Sequence, residues 1–214
     1  MSIAIVIPCI SSHLKYIPGL LNKYANQTII PEEVIISVSN GYNLSRQINT
    51  ISKKSYPFEL TIINNVDIKM PGENRQIGSD ITNCDYIIFQ DADDIPHKQR
   101  VEIMKYFFVS HNANYIAHLR TKIINKFVTT PYVISKISYS VWNKPKYSKK
   151  ITIGNIGIKR NILDDIKWTY NTSDSEKIFT ENVLMNYNNC IVLKVPLLLY
   201  RKHLSSMKIL FNQT

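Results

Sequence analysis

Cysteine is scarce in this chain. Cys9, Cys84 and Cys190 are the only three in 214 residues, odd in number and far apart, so neither a disulfide framework nor a zinc site is expected. They read as reduced core or strand residues of a cytosol-like compartment. No apolar run approaches the ~18 residues that cross a bilayer, which argues against a transmembrane segment. The start, Met1-Ser-Ile-Ala-Ile-Val-Ile-Pro8, has no basic leader and no small-residue cleavage site. It reads as a first strand rather than a signal peptide, and a cytoplasmic location is expected. Internal repeats, low-complexity tracts and Gly/Ser linkers are also missing, which leaves one domain over 1–214.

What is present is an ordinary folded composition, 44% hydrophobic and 20% charged, with a net charge of +10. A basic surface attracts any polyanion, whether nucleic acid, anionic membrane or nucleotide. The cations are scattered, with small clusters only at Lys144–Lys150 and Arg201-Lys202. No helix-turn-helix, zinc-finger or RNA-recognition pattern accompanies them, so nucleic acid is not the expected partner. The abundance of Asn, Ile, Lys and Tyr suits an A/T-rich genome, such as that of a low-GC bacterium or of a large DNA virus acting in its host's cytoplasm.

Strand and helix patterns alternate through the first half. Ile3 to Ile7, Val34 to Val38, Leu60 to Asn64 and Tyr86 to Phe89 are apolar strands. Helical periods fall between them at Tyr16–Asn26, Ser45–Lys53 and Asn74–Thr82. Such alternation predicts a mostly parallel sheet with crossover helices and a ligand crevice beyond the carboxyl ends of the strands. A helix over Pro96–Val109, strands and loops over Tyr115–Ile153, a helix over Ser175–Tyr187 and strands over Ile191–Tyr200 complete the pattern.

The segment Asp85-Tyr-Ile-Ile-Phe-Gln-Asp91-Ala-Asp93-Asp94 carries the chemistry. A buried strand runs straight into carboxylates, and Asp91 and Asp93, one residue apart, can share a hard divalent cation. Mg²⁺ and Mn²⁺ take their remaining ligands from water and substrate phosphates, which points to a nucleoside diphosphate. A polar loop whose aspartate caps the next helix is the plainer alternative.

Further matches in order make the chain resemble the family 2 inverting glycosyltransferases of GT-A type. The opening strand ends in Pro8. Asn74-Arg75-Gln76-Ile77-Gly78 is similar to the family's A-R-N-x-G helix, and Asp91-Ala-Asp93-Asp94 to its D-A-D-D. Pro196-Leu-Leu-Leu-Tyr200-Arg201-Lys-His203-Leu-Ser-Ser206 looks like its P-L-x-x-Y-R-x-H-x-x-S ending. The resemblance implies a Rossmann-like, mostly parallel α/β sheet with flanking helices and a small antiparallel acceptor-side part. Residues 1–95 would form the nucleotide-binding half and 96–214 the acceptor-binding half.

It further implies transfer of a sugar, with inversion, from a nucleoside diphosphate sugar to an acceptor hydroxyl, with a UDP-sugar as the favoured donor. A glycan, protein or lipid-linked molecule would accept it, and a homo-oligomer is compatible. Pro8, Ser39, Asn40, Arg75, Asp91 and Ala92 would bind the sugar nucleotide. Asp91, Asp93 and His203 would hold Mn²⁺ or Mg²⁺. His203 reads equally as an exposed histidine, and Arg75 as a plain salt-bridging arginine. The base falls on Glu176, then Asp174; the alternative is a helix cap at Ser173 or Asp174, with Glu176 completing a capping box. Trp142 and Asn155 are acceptor-side candidates, whereas Trp168 reads as core.

Three departures stand out. Ser39-Asn40-Gly41 replaces the family's aspartate after the second strand, Gln76 replaces the helix asparagine, and no literal E-D precedes the last helix. A nucleotidyltransferase and an inactive sugar-nucleotide- or glycan-binding module are the rival readings. The first lacks its glycine-rich basic loop, because Cys9-Ile-Ser-Ser-His13 follows Pro8.

Overall fold

A computed structural model describes residues 1–122, 131–142, 155–169 and 174–201. A nine-stranded sheet runs through all of it. Strand β1 (Ile3–Ile10) lies inside the sheet, parallel to β2 (Glu33–Ser39) on one side and to β4 (Tyr86–Phe89) on the other. Strand β3 (Glu59–Asn64) extends the parallel part beyond β2. Ile5 therefore stands between Val34 and Ile88, and the apolar runs leave no solvent face.

Both faces of β1 are covered. Ile3, Ile5 and Ile7 belong to one core cluster, which takes in Leu20 and Leu21 of α1 (Ile17–Ala25) and Met104 and Phe107 of α4 (Arg100–Ser110). Ala4 and Val6 belong to a second, with Ile162 of α5 (Ile162–Asp165) and Phe179 of α6 (Ser175–Asn186). Helix α2 (Ser45–Ser52) lies against β3, and α3 (Pro71–Asp80) against β1 and β2. Each isoleucine so enclosed contributes ~1.5–3 kcal/mol.

The second half adds the antiparallel part. β8 (Ile156–Lys159) pairs antiparallel with both β4 and β6 (Tyr115–Thr121). β6 then runs parallel to β9 (Cys190–Leu199). Two short strands, β5 (Ile95–Pro96) and β7 (Tyr139–Val141), pair with opposite ends of β9. No helix among the described residues is long and apolar enough to cross a membrane.

Several boundaries differ from the sequence expectation. The segment around Tyr16 is a 3-10 turn over Ser11–Tyr16, and α1 starts only at Ile17 with Pro18 in its first turn. Pro96 sits in β5, and the following helix begins four residues later at Arg100. Within the stretch read as strands and loops, Tyr132 lies in a loop, where its N–H donates to Gln99 Oε1 at 2.6 Å. The last strand is continuous across Pro196, which falls where the pairing with β6 slips register. Proline cannot donate to a ladder, so the slip is where it is tolerated.

Candidate active site

The carboxyl ends of β1 and β4 lie side by side and open onto one edge of the sheet. Beyond β4 the chain is held by Gln90, which is fully buried. Its Nε2 donates to the carbonyl oxygens of Asp91 (2.7 Å) and Asp94 (3.2 Å). Its Oε1 accepts from Tyr24 Oη at 2.8 Å and Arg100 Nη1 at 2.7 Å. Arg100, also fully buried, donates in addition to Phe89 O at 2.8 Å and to His118 Nε2 at 3.0 Å. The His118 ring lies 2.8 Å from Leu119 O through Nδ1. Accepting from Arg100 at Nε2 requires a neutral ring, in keeping with a pKa pushed well down by burial and by the Arg100 charge.

Asp94 is buried behind the turn, and its Oδ1 accepts the Arg201 N–H at 3.1 Å. Burial, then the charges of Asp91 and Asp93, push its pKa up to about 8. Asp91 and Asp93 face the other way, into an open cleft of about 210 Å³. Pro8, Cys9, Ile10 and His13 form the β1 side of this cleft, and Lys69, Pro71, Asn74 and Arg75 its α3 side. Glu176, in the first turn of α6, closes it.

Arg75 joins these parts. It is 2% exposed, and its Nη2 stands 2.7 Å from Asp91 Oδ1 and 3.7 Å from Glu176 Oε1. The guanidinium lies 5.6 Å from the centre of the Trp168 ring, which stacks at 3.8 Å on Phe179 of α6. Its Nε and Nη1 are buried with no hydrogen-bond partner among the described residues. A charged donor left in that state costs free energy that a ligand oxygen would recover. Beside it, Asn74 Oδ1 accepts from Ser37 Oγ at 3.0 Å, and Asn65 Nδ2 donates to the same serine at 3.1 Å. The Cys9 thiol is pushed up to about 12, by burial first and the Asp93 charge second, so it is no nucleophile.

The structure thus brings Pro8, Arg75, Asp91, Ala92, Asp93 and Glu176 onto one cleft. Ser39 ends β2 and Asn40 follows it, both outside the lining of this cleft. Asn40 adopts a left-handed φ of 54°, and its N–H donates to Asp67 O at 2.9 Å. Asp174 stands at the N-cap of α6 but makes no side-chain capping bond. Trp142 packs against the second core cluster, edge-on to Tyr115 at 6.4 Å. Asn155 is fully buried and donates from Nδ2 to His118 O at 3.2 Å. Trp168 is core, as expected. His203 lies outside the described residues.

His13, Lys69 and Asn65 were not singled out from the sequence. Asn74 appeared there only as a letter of the helix motif. Their place depends on the pairing of β1 with β2 and of β2 with β3, which no local spacing reveals. Among the described residues no three carboxylate, His or Cys side chains gather to hold an ion. Asp91 and Asp93 nonetheless supply hard oxygen donors of the kind that Mg²⁺ and Mn²⁺ accept when substrate phosphates complete the shell, so the donor set fits.

Residues 4–179 match the family model described as glycosyl transferase family 2. A Haemophilus influenzae protein described as an uncharacterized glycosyltransferase is 26% identical over 141 residues, 64% of this chain and 46% of that protein. Among solved structures, the 1–349 fragment of S. aureus TarS in complex with UDP-GlcNAc superposes with a TM-score of 0.75 at 18% identity. That match covers 96% of this chain and 60% of the fragment. The mannosyltransferase PcManGT of Pyrobaculum calidifontis, in complex with GDP-Man and Mn²⁺, superposes with a TM-score of 0.65 at 11% identity. It is covered over 54% of its length and this chain over 91%. The chain therefore spans about half to three fifths of these proteins, and shares the GT-A fold with the two solved structures.

Proposed function

The chain belongs to glycosyl transferase family 2, and from that premise we propose that it transfers a sugar from a nucleoside diphosphate sugar to an acceptor hydroxyl with inversion. The observation that carries this reading is the Arg75 bridge, which ties Asp91 on the donor side to Glu176 across a single cleft. Neighbours of the same fold were solved with UDP-GlcNAc and with GDP-Man, which supports a nucleotide sugar as donor, a UDP-sugar first. In this reading Glu176 accepts the proton of the incoming hydroxyl, which attacks the anomeric carbon opposite the leaving group. The unpartnered Arg75 donors, with Lys69 and His13 on the rim, orient the diphosphate. Mn²⁺ or Mg²⁺, held by Asp93 with Asp91 beside it, would offset the charge that develops on the leaving diphosphate.

The test is thermal stabilisation by UDP-sugars with and without Mn²⁺, together with assays of two variants. Asp93→Ala is expected to lose the metal-dependent shift while keeping its unliganded Tm. Glu176→Gln is expected to keep the shift but lose on the order of 10²–10⁴ in kcat, the usual contribution of a general base. Undiminished turnover in Glu176→Gln would remove it from the base role.

A further inference from the structure

Next to the donor cleft, and sharing Ala92 and Asp93 with it, a second set of side chains gathers, of which the transfer reading uses only Asp93. A small cavity of about 100 Å³ is lined by Tyr16, Lys23, Asp93, Asp94 and Arg201, among others. Arg201 lies 5.2 Å and Lys15 5.1 Å from the Tyr16 ring centre. At the end of β6, Arg120 and Lys122 lie 4.4 and 5.4 Å from the Tyr200 ring centre. Tyr200 and Arg201, adjacent in the chain, link the two groups, and Asp94 holds the Arg201 N–H. Five cations and two tyrosines from four places in the chain thus share the carboxyl edge of the sheet. Among the described residues, the side chains of Lys15, Lys23, Lys122 and Arg201 form no ion pair with a carboxylate.

We propose that this cationic face binds a phosphate group carried by the acceptor, and so selects phosphate-bearing acceptors. The proposal rests on the transfer reading, since it assigns the acceptor side of that reaction. Position is the first argument: this face borders the turn that carries Asp91 and Asp93, so a phosphate held on it lies next to the cleft in which the acceptor hydroxyl must meet Glu176. Chemistry is the second, because planar guanidinium forks and mobile ammonium groups together suit phosphate oxygens.

Two other polyanions fit less well. The tyrosine rings already carry cations over them, so they serve as supports for charge rather than open platforms for stacking bases. The large exposed hydrophobic residues, among them Tyr42, Val66, Tyr106 and Val141, lie on other segments. Among the described residues the face therefore lacks the apolar component that seats a protein in a membrane interface.

The experiment compares the parent chain with the triple variant Lys15→Gln/Lys23→Gln/Lys122→Gln. A control of equal charge, Lys53→Gln/Lys54→Gln/Lys136→Gln, removes exposed lysines elsewhere. Inorganic polyphosphate is titrated at low salt, and UDP with Mn²⁺ is titrated separately. Polyphosphate affinity is expected to fall roughly a hundredfold in the first triple, at about fivefold per cation, and far less in the control. Affinity for UDP with Mn²⁺ is expected to stay unchanged in both.

Equal losses in the two triples would reduce the face to general charge and overturn the proposal. A fall in UDP affinity confined to the first triple would assign the face to the donor and overturn it too. Single-stranded DNA, or vesicles of phosphatidylglycerol and phosphatidylcholine, binding as tightly and losing as much would replace phosphate-bearing acceptors with nucleic acid or membrane. If the parent chain binds no UDP at all, the transfer reading fails by itself, and the polyphosphate comparison still reports on this face.

Discussion

Asp94 is the residue at which the electrostatics of the turn become measurable. Its carboxyl is almost fully buried among like charges, and its pKa rises from 3.8 to about 8. The folded state then binds a proton that the unfolded chain releases above pH ~4, so this group's contribution is complete at low pH and is lost as pH climbs through about 8. His118 acts in the opposite sense: its pKa is held well below 6.5, so its contribution is present above 6.5 and lost on acidification. In a chelator-treated sample, Tm is therefore expected to decline from pH 7 to pH 9, and Asp94→Asn, which keeps an acceptor for the Arg201 N–H, should flatten that limb. An unchanged limb in Asp94→Asn would show that another group sets it. At this scale the sequence was informative where chemistry sits in a contiguous motif, as with Asp91, Asp93 and Arg75. It was silent on Lys69, Asn65 and the Gln90–Arg100–His118 chain, whose members meet only after strands from both halves have paired.

Helix α3 shows what pattern reading catches in an element and what escapes it. The helix was expected over Asn74–Thr82 and is found over Pro71–Asp80, started by proline in its first turn. Periodicity had little to offer, because Asn74, Arg75, Gln76 and Ser79 are all buried and polar. Glycine decides its depth instead: a Cβ on Gly78 would stand 2.8 Å from Val6 Cγ1, so only glycine lets α3 settle onto β1 at this spacing. Gly78→Ala gains ~1 kcal/mol of helix propensity but loses about 1–3 kcal/mol to overpacking. A small net drop in Tm is expected, with a larger loss of activity, because the lifted helix carries Arg75 away from Asp91 and Glu176. A Tm above the parent's with full activity would show that Val6 yields freely. Strands were more legible than helices here, since β1, β2 and β4 are fully enclosed and their apolar runs have no rival reading. Three-residue β7 falls inside the Tyr115–Ile153 stretch read as strands and loops, whereas two-residue β5 was beyond reach, because long-range pairing with β9 alone makes it a strand.

Across the whole molecule, the first half (residues 1–95) and the second (96–214) are not separate bodies joined by a linker. β4 of the first half pairs directly with β8 of the second, and the second core cluster takes Ala4 and Val6 from one half and Phe179 and Val183 from the other. Neither half keeps its core if the other opens, because the β4–β8 seam would then expose Ile87 and Ile158 together. We therefore expect this chain to unfold in a single cooperative step. Both tryptophans, Trp142 and Trp168, belong to the second half, whereas backbone circular dichroism reports on both halves. Urea transitions followed by tryptophan fluorescence and by circular dichroism should coincide in midpoint and slope. A fluorescence transition that precedes the circular dichroism by a resolvable margin would mean that the second half opens alone. The cleft would then lose Glu176 while keeping Asp91 and Arg75, and donor binding would survive denaturant concentrations that abolish transfer.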